Sequence, residues 1–213
     1  MDIEELEKRY KAGERDFAGI SLRGKKMRVV LDGANLRGAD LSDCIILFPR
    51  FRKANLSEAN LSGTEIDGGL FDCNLEGANL QSAIGLGFVN CNMRGVDLSN
   101  FRFLPDESGI RSCVIDEATL RGTVFTESLH IADSSFLNSS WENVLGEHIW
   151  MSNVDLTGSR ISQNAEVIGP TISLRGVTLA NGQYIEGTVI GGGVRHLDGI
   201  KAEELKQMRW LDD

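Results

Sequence analysis

Four cysteines, three histidines and a glycine triplet are the residues of this 213-residue chain whose chemistry would first suggest catalysis or metal binding. No two of Cys44, Cys73, Cys91 and Cys113 have the two-residue spacing of a zinc knuckle. His130, His148 and His196 are scattered, and none pairs with a cysteine or an acid in a nucleophile arrangement. Gly191-Gly192-Gly193 follows no strand-to-helix pattern and lacks the Lys-Ser/Thr of a phosphate-binding loop, so it reads as tight corners. The carboxylates are expected mostly at outward turn positions, where no pocket would bring an acid and a base together. The expectation is therefore a chain that is not an enzyme, with no catalytic residue, no metal ligand and no cofactor.

The elements that must carry these residues are set by a period of five. From Gly33 onward the sequence runs Ala34-Asn35-Leu36-Arg37-Gly38, Ala39-Asp40-Leu41-Ser42-Asp43, then Ala54-Asn55-Leu56-Ser57-Glu58, Ala59-Asn60-Leu61-Ser62-Gly63 and Ala78-Asn79-Leu80-Gln81-Ser82. A helix repeats its apolar residues at three and four and a half-buried strand at two, so a fixed five marks a repeat architecture whose every unit turns a corner. Leu36, Leu41, Ile46, Phe51, Leu56, Leu61 and Ile66 fall in register without a slip, and after a slip of one residue at Leu70 the steps of five resume at Leu75 and Leu80. These central residues are predicted to form the core. Allowing slips, centres extend from Phe17 to Val194, through Phe88, Met93, Ile110, Ile115, Tyr184 and Val189, with Gly146 alone not apolar.

The residue two before a centre is usually Ala, Cys, Ser, Thr, Val or Gly, which suits a narrow interior. All four cysteines occupy that position, before Ile46, Leu75, Met93 and Ile115, and read as small buried hydrophobes. Cys91 and Cys113 are predicted to stack on one face of successive coils as free thiols, provided the extra residues near Leu104 to Glu107 form a bulge. Asn or Asp just before the centre can bond turn backbone, and Gly, Ser or Asp two after it tolerates the corner.

These units resemble the A-(D/N)-L-x-x signature of the pentapeptide-repeat family, over roughly residues 15 to 196. The resemblance implies an all-β solenoid: a right-handed quadrilateral β-helix, four pentapeptides per coil. An open solenoid exposes strand edges and core at both ends, so short helical caps are expected there, a capping helix at 1–14 and a carboxy-terminal one at 197–213 about the β-helix at 15–196. Ile3, Leu6 and Tyr10 lie at helical spacing for the first cap, and Ile3 to Leu22 resembles the amino terminus of cyanobacterial members. Ala202, Leu205 and Met208 share a side of the second, with Trp210 close by. Its other use would be a homodimer contact, as in gyrase-inhibiting members of the family.

The repeat is interrupted near Ala83 to Gly87, Leu104 to Glu107 and Val167 to Thr171, each reading as a bulge of two or three extra residues. None is a projecting loop of the kind that quinolone-resistance members carry. The least regular stretch, Leu129 to Met151, places Leu145, His148 and Trp150 at outward positions, and these three form the candidate interaction patch.

No apolar run approaches the roughly 20 residues of a membrane span, and the start Met1-Asp2-Ile3-Glu4-Glu5 is unlike a secretory signal, which predicts a cytoplasmic protein. A net charge of -9 argues against direct nucleic-acid binding. The acid is concentrated: residues 67–160 hold 5 basic and 13 acidic side chains. Two functions compete. One is a non-catalytic scaffold or protein-interaction module with a protein partner; the other is an acidic DNA mimic that occupies a type II topoisomerase such as DNA gyrase.

Overall fold

A five-residue unit with its central residue inward, a small residue two before it and a turn after it closes on itself every four units. The structure, a computed structural model, describes residues 1–47, 51–104, 109–161, 166–168, 171–179, 182, 184–191 and 194–196. It is a parallel β-solenoid with four faces per coil. The first face stacks Asp16 on Asn35, Asn55, Asn74, Asn92, Val114, Ser135 and Asp155. The second stacks Ser21, Asp40, Asn60, Asn79, Asp97, Thr119, Ser140 and Arg160. On the third, Lys26, Ile45, Glu65, Ile84, Arg102, Val124 and Leu145 follow one another. The fourth runs Gly69, Gly87, Gly109, His130, Trp150 and Ser173.

The core is one continuous column in which Leu36, Leu41, Ile46, Phe51, Leu56, Leu61, Ile66, Leu75 and Leu80 are buried. The corners after the fourth, first and second faces share one geometry. In the first coils the residue after the turn donates its N–H to the centre's carbonyl, as Ala39 does to Leu36, Cys44 to Leu41 and Ala54 to Phe51, and the residue two after the centre is left-handed. Gly38 (φ 62°), Asp43 (φ 58°) and Lys53 (φ 59°) occupy such places. The asparagines before the centres tie the coils together: Asn55 donates to Asn35, Asn74 to Asn55 and Asn92 to Asn74, at 3.2, 3.3 and 3.2 Å. Each side-chain oxygen also accepts a backbone N–H two residues on, such as that of Ser57.

Departures from five collect at one corner. Paired positions advance by fives through 69, 74, 79, 84; through 87, 92, 97, 102; through 109, 114, 119, 124; and through 130, 135, 140, 145. The passage from the third face to the fourth is the variable one: 65 to 69, 84 to 87, 102 to 109, 124 to 130. A longer corner at Leu104 to Glu107 was anticipated. The reading of extra residues at Ala83 to Gly87 was wrong, because Gly85 is itself an inward centre, paired with Phe103, and the corner after it is shortened. A Cβ on Gly85 would stand 3.3 Å from the buried ring of Phe101 and 3.6 Å from Ile66. Phe101 occupies a position held elsewhere by small residues, so the large and small partners are exchanged across two coils. Its ring joins Phe88, Phe103, Phe125 and Trp141 in a chain of contacts at 4.7 to 6.4 Å between centroids.

A helix, Ile3–Lys11, covers the amino-terminal end. Asp2 caps it by accepting from the N–H of Glu5, Leu6 is fully buried against the first coil, and the Tyr10 hydroxyl donates to the Asp32 carbonyl at 2.9 Å. No helix among the described residues is long and apolar enough to cross a membrane. At the far end the parallel stack stops: Tyr184–Gly191 runs antiparallel along Thr171–Thr178, and Val194–His196 antiparallel along Glu166–Ile168. The five-residue register had placed Tyr184, Val189 and Val194 in a further parallel coil. The chain instead reverses after Leu179 and lies back over the last coil. The expected capping helix at 197–213 lies outside the described residues.

Candidate interaction face

The small inward positions of the first face carry Cys73, Cys91 and Cys113 in succession, since Asn74, Asn92 and Val114 pair one above another. All three are free and buried. Contact with the Cys91 thiol and burial push Cys73 and Cys113 far above the usual thiol range. Among the described residues, no group of three or more His, Cys, Asp or Glu is disposed to hold a metal.

The sequence-predicted patch does not assemble as one surface. Leu145, 41% exposed, pairs with Val124 on the third face, while Trp150, 46% exposed, pairs with His130 on the fourth. The side chain of His148 lies outside the described set; its backbone pairs with Ser128, just after the bulge that turns the corner. The corner therefore splits the group, and Trp150 acquires different neighbours. Its ring meets that of His130 edge-on, with centroids 4.5 Å apart.

The fourth face presents two outward rows. One is the file of Gly69, Gly87 and Gly109 continued by His130 and Trp150; its glycines follow from close stacking, for a Cβ on Gly87 would lie 2.2 Å from the Gly109 carbonyl oxygen. The other is the file after the centres: Arg52, Phe71, Val89, Arg111, Ala132, Ser152 and Arg175. The Arg52 guanidinium lies over the Phe71 ring at 5.1 Å. Beside the glycines runs a groove of about 280 Å³, walled by Phe71, Val89 and Arg111. Arg111 also borders a notch of about 230 Å³ with His130, Trp150 and Arg175. The sequence reading missed this face, because its residues come from different coils and no stretch of chain contains two of the arginines.

Charge on this face differs from that on the first and second faces. Arg23, Arg37 and Arg94 each pair with a carboxylate one coil on, Asp43, Glu58 and Glu117, at 3.1, 2.7 and 2.5 Å. Arg52, Arg111 and Arg175 form no ion pair among the described residues. The acids flanking them are otherwise engaged: Asp32 accepts from the backbone N–H of Arg52, Asp72 from Asn90, and Asp133 from Asn153.

Compared with known proteins, residues 31–69 match the family model of pentapeptide repeats in 8 copies. No curated protein matches the chain. Among solved structures, the chain is similar to HetL of the cyanobacterium Nostoc sp. strain PCC 7120, a pentapeptide repeat protein involved in heterocyst differentiation regulation, at 17% identity over 87% of this chain and 100% of that one, with a TM-score of 0.37. It is also similar to full-length QnrB1, a plasmid-mediated fluoroquinolone resistance protein, at 17% identity over 80% of this chain and 91% of that one (TM-score 0.39). A third is a pentapeptide repeat protein of the Arabidopsis thaliana thylakoid lumen, at 23% identity over 69% of this chain and 72% of that one (TM-score 0.22). Eight tandem copies of the pentapeptide-repeat family model are thus matched within residues 31–69, and the same five-residue stepping is carried through the later coils.

Proposed function

We propose that this protein is a non-catalytic scaffold that binds a protein partner through the fourth face of its rod. The observation that supports the reading is the conjunction there of an exposed tryptophan with arginines that have no acidic partner among the described residues. Partly desolvated aromatic and arginine side chains are the residue types that carry binding energy at protein interfaces. A rod held by coil-to-coil hydrogen bonds presents such groups without an ordering cost on binding.

The test is site-specific photocrosslinking in cell extract, with the photoreactive residue placed at Ser152 on the fourth face or at Ser62 on the second. A discrete adduct from Ser152 and none from Ser62 is the expected outcome. Adducts from both faces alike, or from neither, would overturn the assignment. The alternative reading, a DNA mimic acting on a topoisomerase, draws on the acidic middle of the chain. Within that stretch Arg94 pairs with Glu117 and Arg121 with Glu142, which breaks the acid into shorter patches and weighs against it. Inhibition of gyrase supercoiling at stoichiometric protein would favour the mimic instead.

A further inference from the structure

We propose that the occupant of the fourth face is an extended acidic segment of the partner, lying along the rod axis with carboxylates at every fourth residue. This inference rests on the scaffold reading and adds the chemistry of what is bound. It follows from the spacing of the three arginines. Between Arg52 and Arg111 the file passes through Phe71 and Val89, and between Arg111 and Arg175 through Ala132 and Ser152, so each interval is three coil steps. At a strand spacing of about 4.8 Å, three steps cover roughly 14 Å. An extended peptide rises about 3.4 Å per residue and returns a side chain to the same side at every second position, so four residues cover nearly the same distance with the side chain on the same face.

Acids at every fourth residue would therefore meet successive arginines in register. The same-side positions midway between them fall against the intervening side chains, Phe71 and Val89 in one interval and Ala132 and Ser152, beside Trp150, in the next. Apolar side chains suit those places. The glycine file bare of side chains leaves room for the peptide backbone beside this row. Charge selects the occupant: guanidiniums without acidic partners among the described residues favour carboxylates, each able to accept a forked pair of hydrogen bonds. A nucleic-acid strand would carry its charge across the whole surface of a protein of net charge -9, where a short acidic-apolar peptide confines it to the groove.

The experiment uses the full chain and a fluorescein-labelled 13-residue peptide with glutamate at every fourth position, leucine or phenylalanine midway between, and serine elsewhere. Anisotropy titration is expected to give saturable binding that weakens at least tenfold in Arg111→Glu and about fivefold in Trp150→Ala. Affinity should fall as salt rises, and Arg94→Ala, on the first face, should leave it unchanged. A control peptide with glutamate at every third position should bind at least tenfold more weakly. Circular dichroism melts of each variant establish that the rod is intact. Equal binding by the wild-type and Arg111→Glu proteins, equal binding of the two peptides, or no binding at millimolar peptide would overturn the proposal. So would tighter, Arg111-dependent binding of an oligo-dT strand. A crosslinked partner from Ser152 that survives Arg111→Glu would overturn this inference while sparing the scaffold reading; absence of any crosslink would remove the scaffold reading itself.

Discussion

Gly85 and Phe101 are two halves of one packing decision. Restoring a large centre with Gly85→Leu drives a side chain into the Phe101 ring and Ile66, and overpacking of this kind costs about 1–3 kcal/mol. Phe101→Ala empties the same space, at about 3–5 kcal/mol. The double variant is expected to be markedly more stable than the sum of the single losses predicts, which urea unfolding of the four proteins would measure. An ordinary core position behaves differently: Leu61 is fully buried, so Leu61→Asp places an unpaired carboxylate in the core and is expected to abolish cooperative melting. Leu61 was legible in the sequence because its five-residue neighbours stand beside it in the chain. Gly85 was not, because the ring that replaces its side chain comes from the next coil. A one-dimensional register reads the gap as an insertion.

Among the elements, the second face carries its own sensitivity to acid. Burial raises Asp97, but hydrogen bonds from Ser99 and Gln81 outweigh it and hold the carboxyl below its ordinary value. Asp40, which accepts from the Ser42 hydroxyl and backbone, is lowered as well. A carboxylate depressed in the folded state contributes stability above its unfolded value, and that contribution is lost as pH falls through the folded one. Melting temperature is therefore expected to be flat from neutral pH down to about 5 and to drop below about 4. Asp97→Asn should shrink that drop; a melting curve with the same acid slope in the variant would dismiss this origin. The Asx-type bonds behind the effect were readable from Asn and Asp before each centre. The two-row chemistry of the fourth face was not, since it exists only once coils are stacked in register. Leu145 and Trp150 illustrate the limit, close in sequence yet separated by a corner.

For the whole molecule, the antiparallel layer at the carboxy-terminal end has a purpose that the repeat alone would not supply. A parallel stack ends in unpaired N–H and C=O groups, which invite another chain to add on. Laying Tyr184–Gly191 back along Thr171–Thr178 covers that edge with a strand of opposite direction, which a further parallel coil does not match. Truncation after Leu179 is expected to convert the protein to concentration-dependent oligomers, seen by light scattering, while the early coils retain their circular dichroism. A truncated chain that stays monomeric would mean that the edge is not what limits association. The period of five made the parallel body legible; it carried no sign of the reversal, because Tyr184, Val189 and Val194 keep apolar spacing in either direction.

The corner between the third and fourth faces behaves as an expansion joint. Its length changes from coil to coil, from 84–87 to 102–109, while the other three corners keep step through residue 160. New sequence spliced between Arg102 and Gly109 would emerge beside the groove without disturbing the Asn92–Val114 and Asp97–Thr119 pairings. The same splice between Asn92 and Asp97 would throw every later coil out of alignment. Inserting five Gly-Ser residues at each place is expected to leave the melting temperature nearly unchanged in the first case and to lower it steeply in the second. A rod with one tolerant edge can vary what it displays along that edge while the rest of its cross-section stays constant.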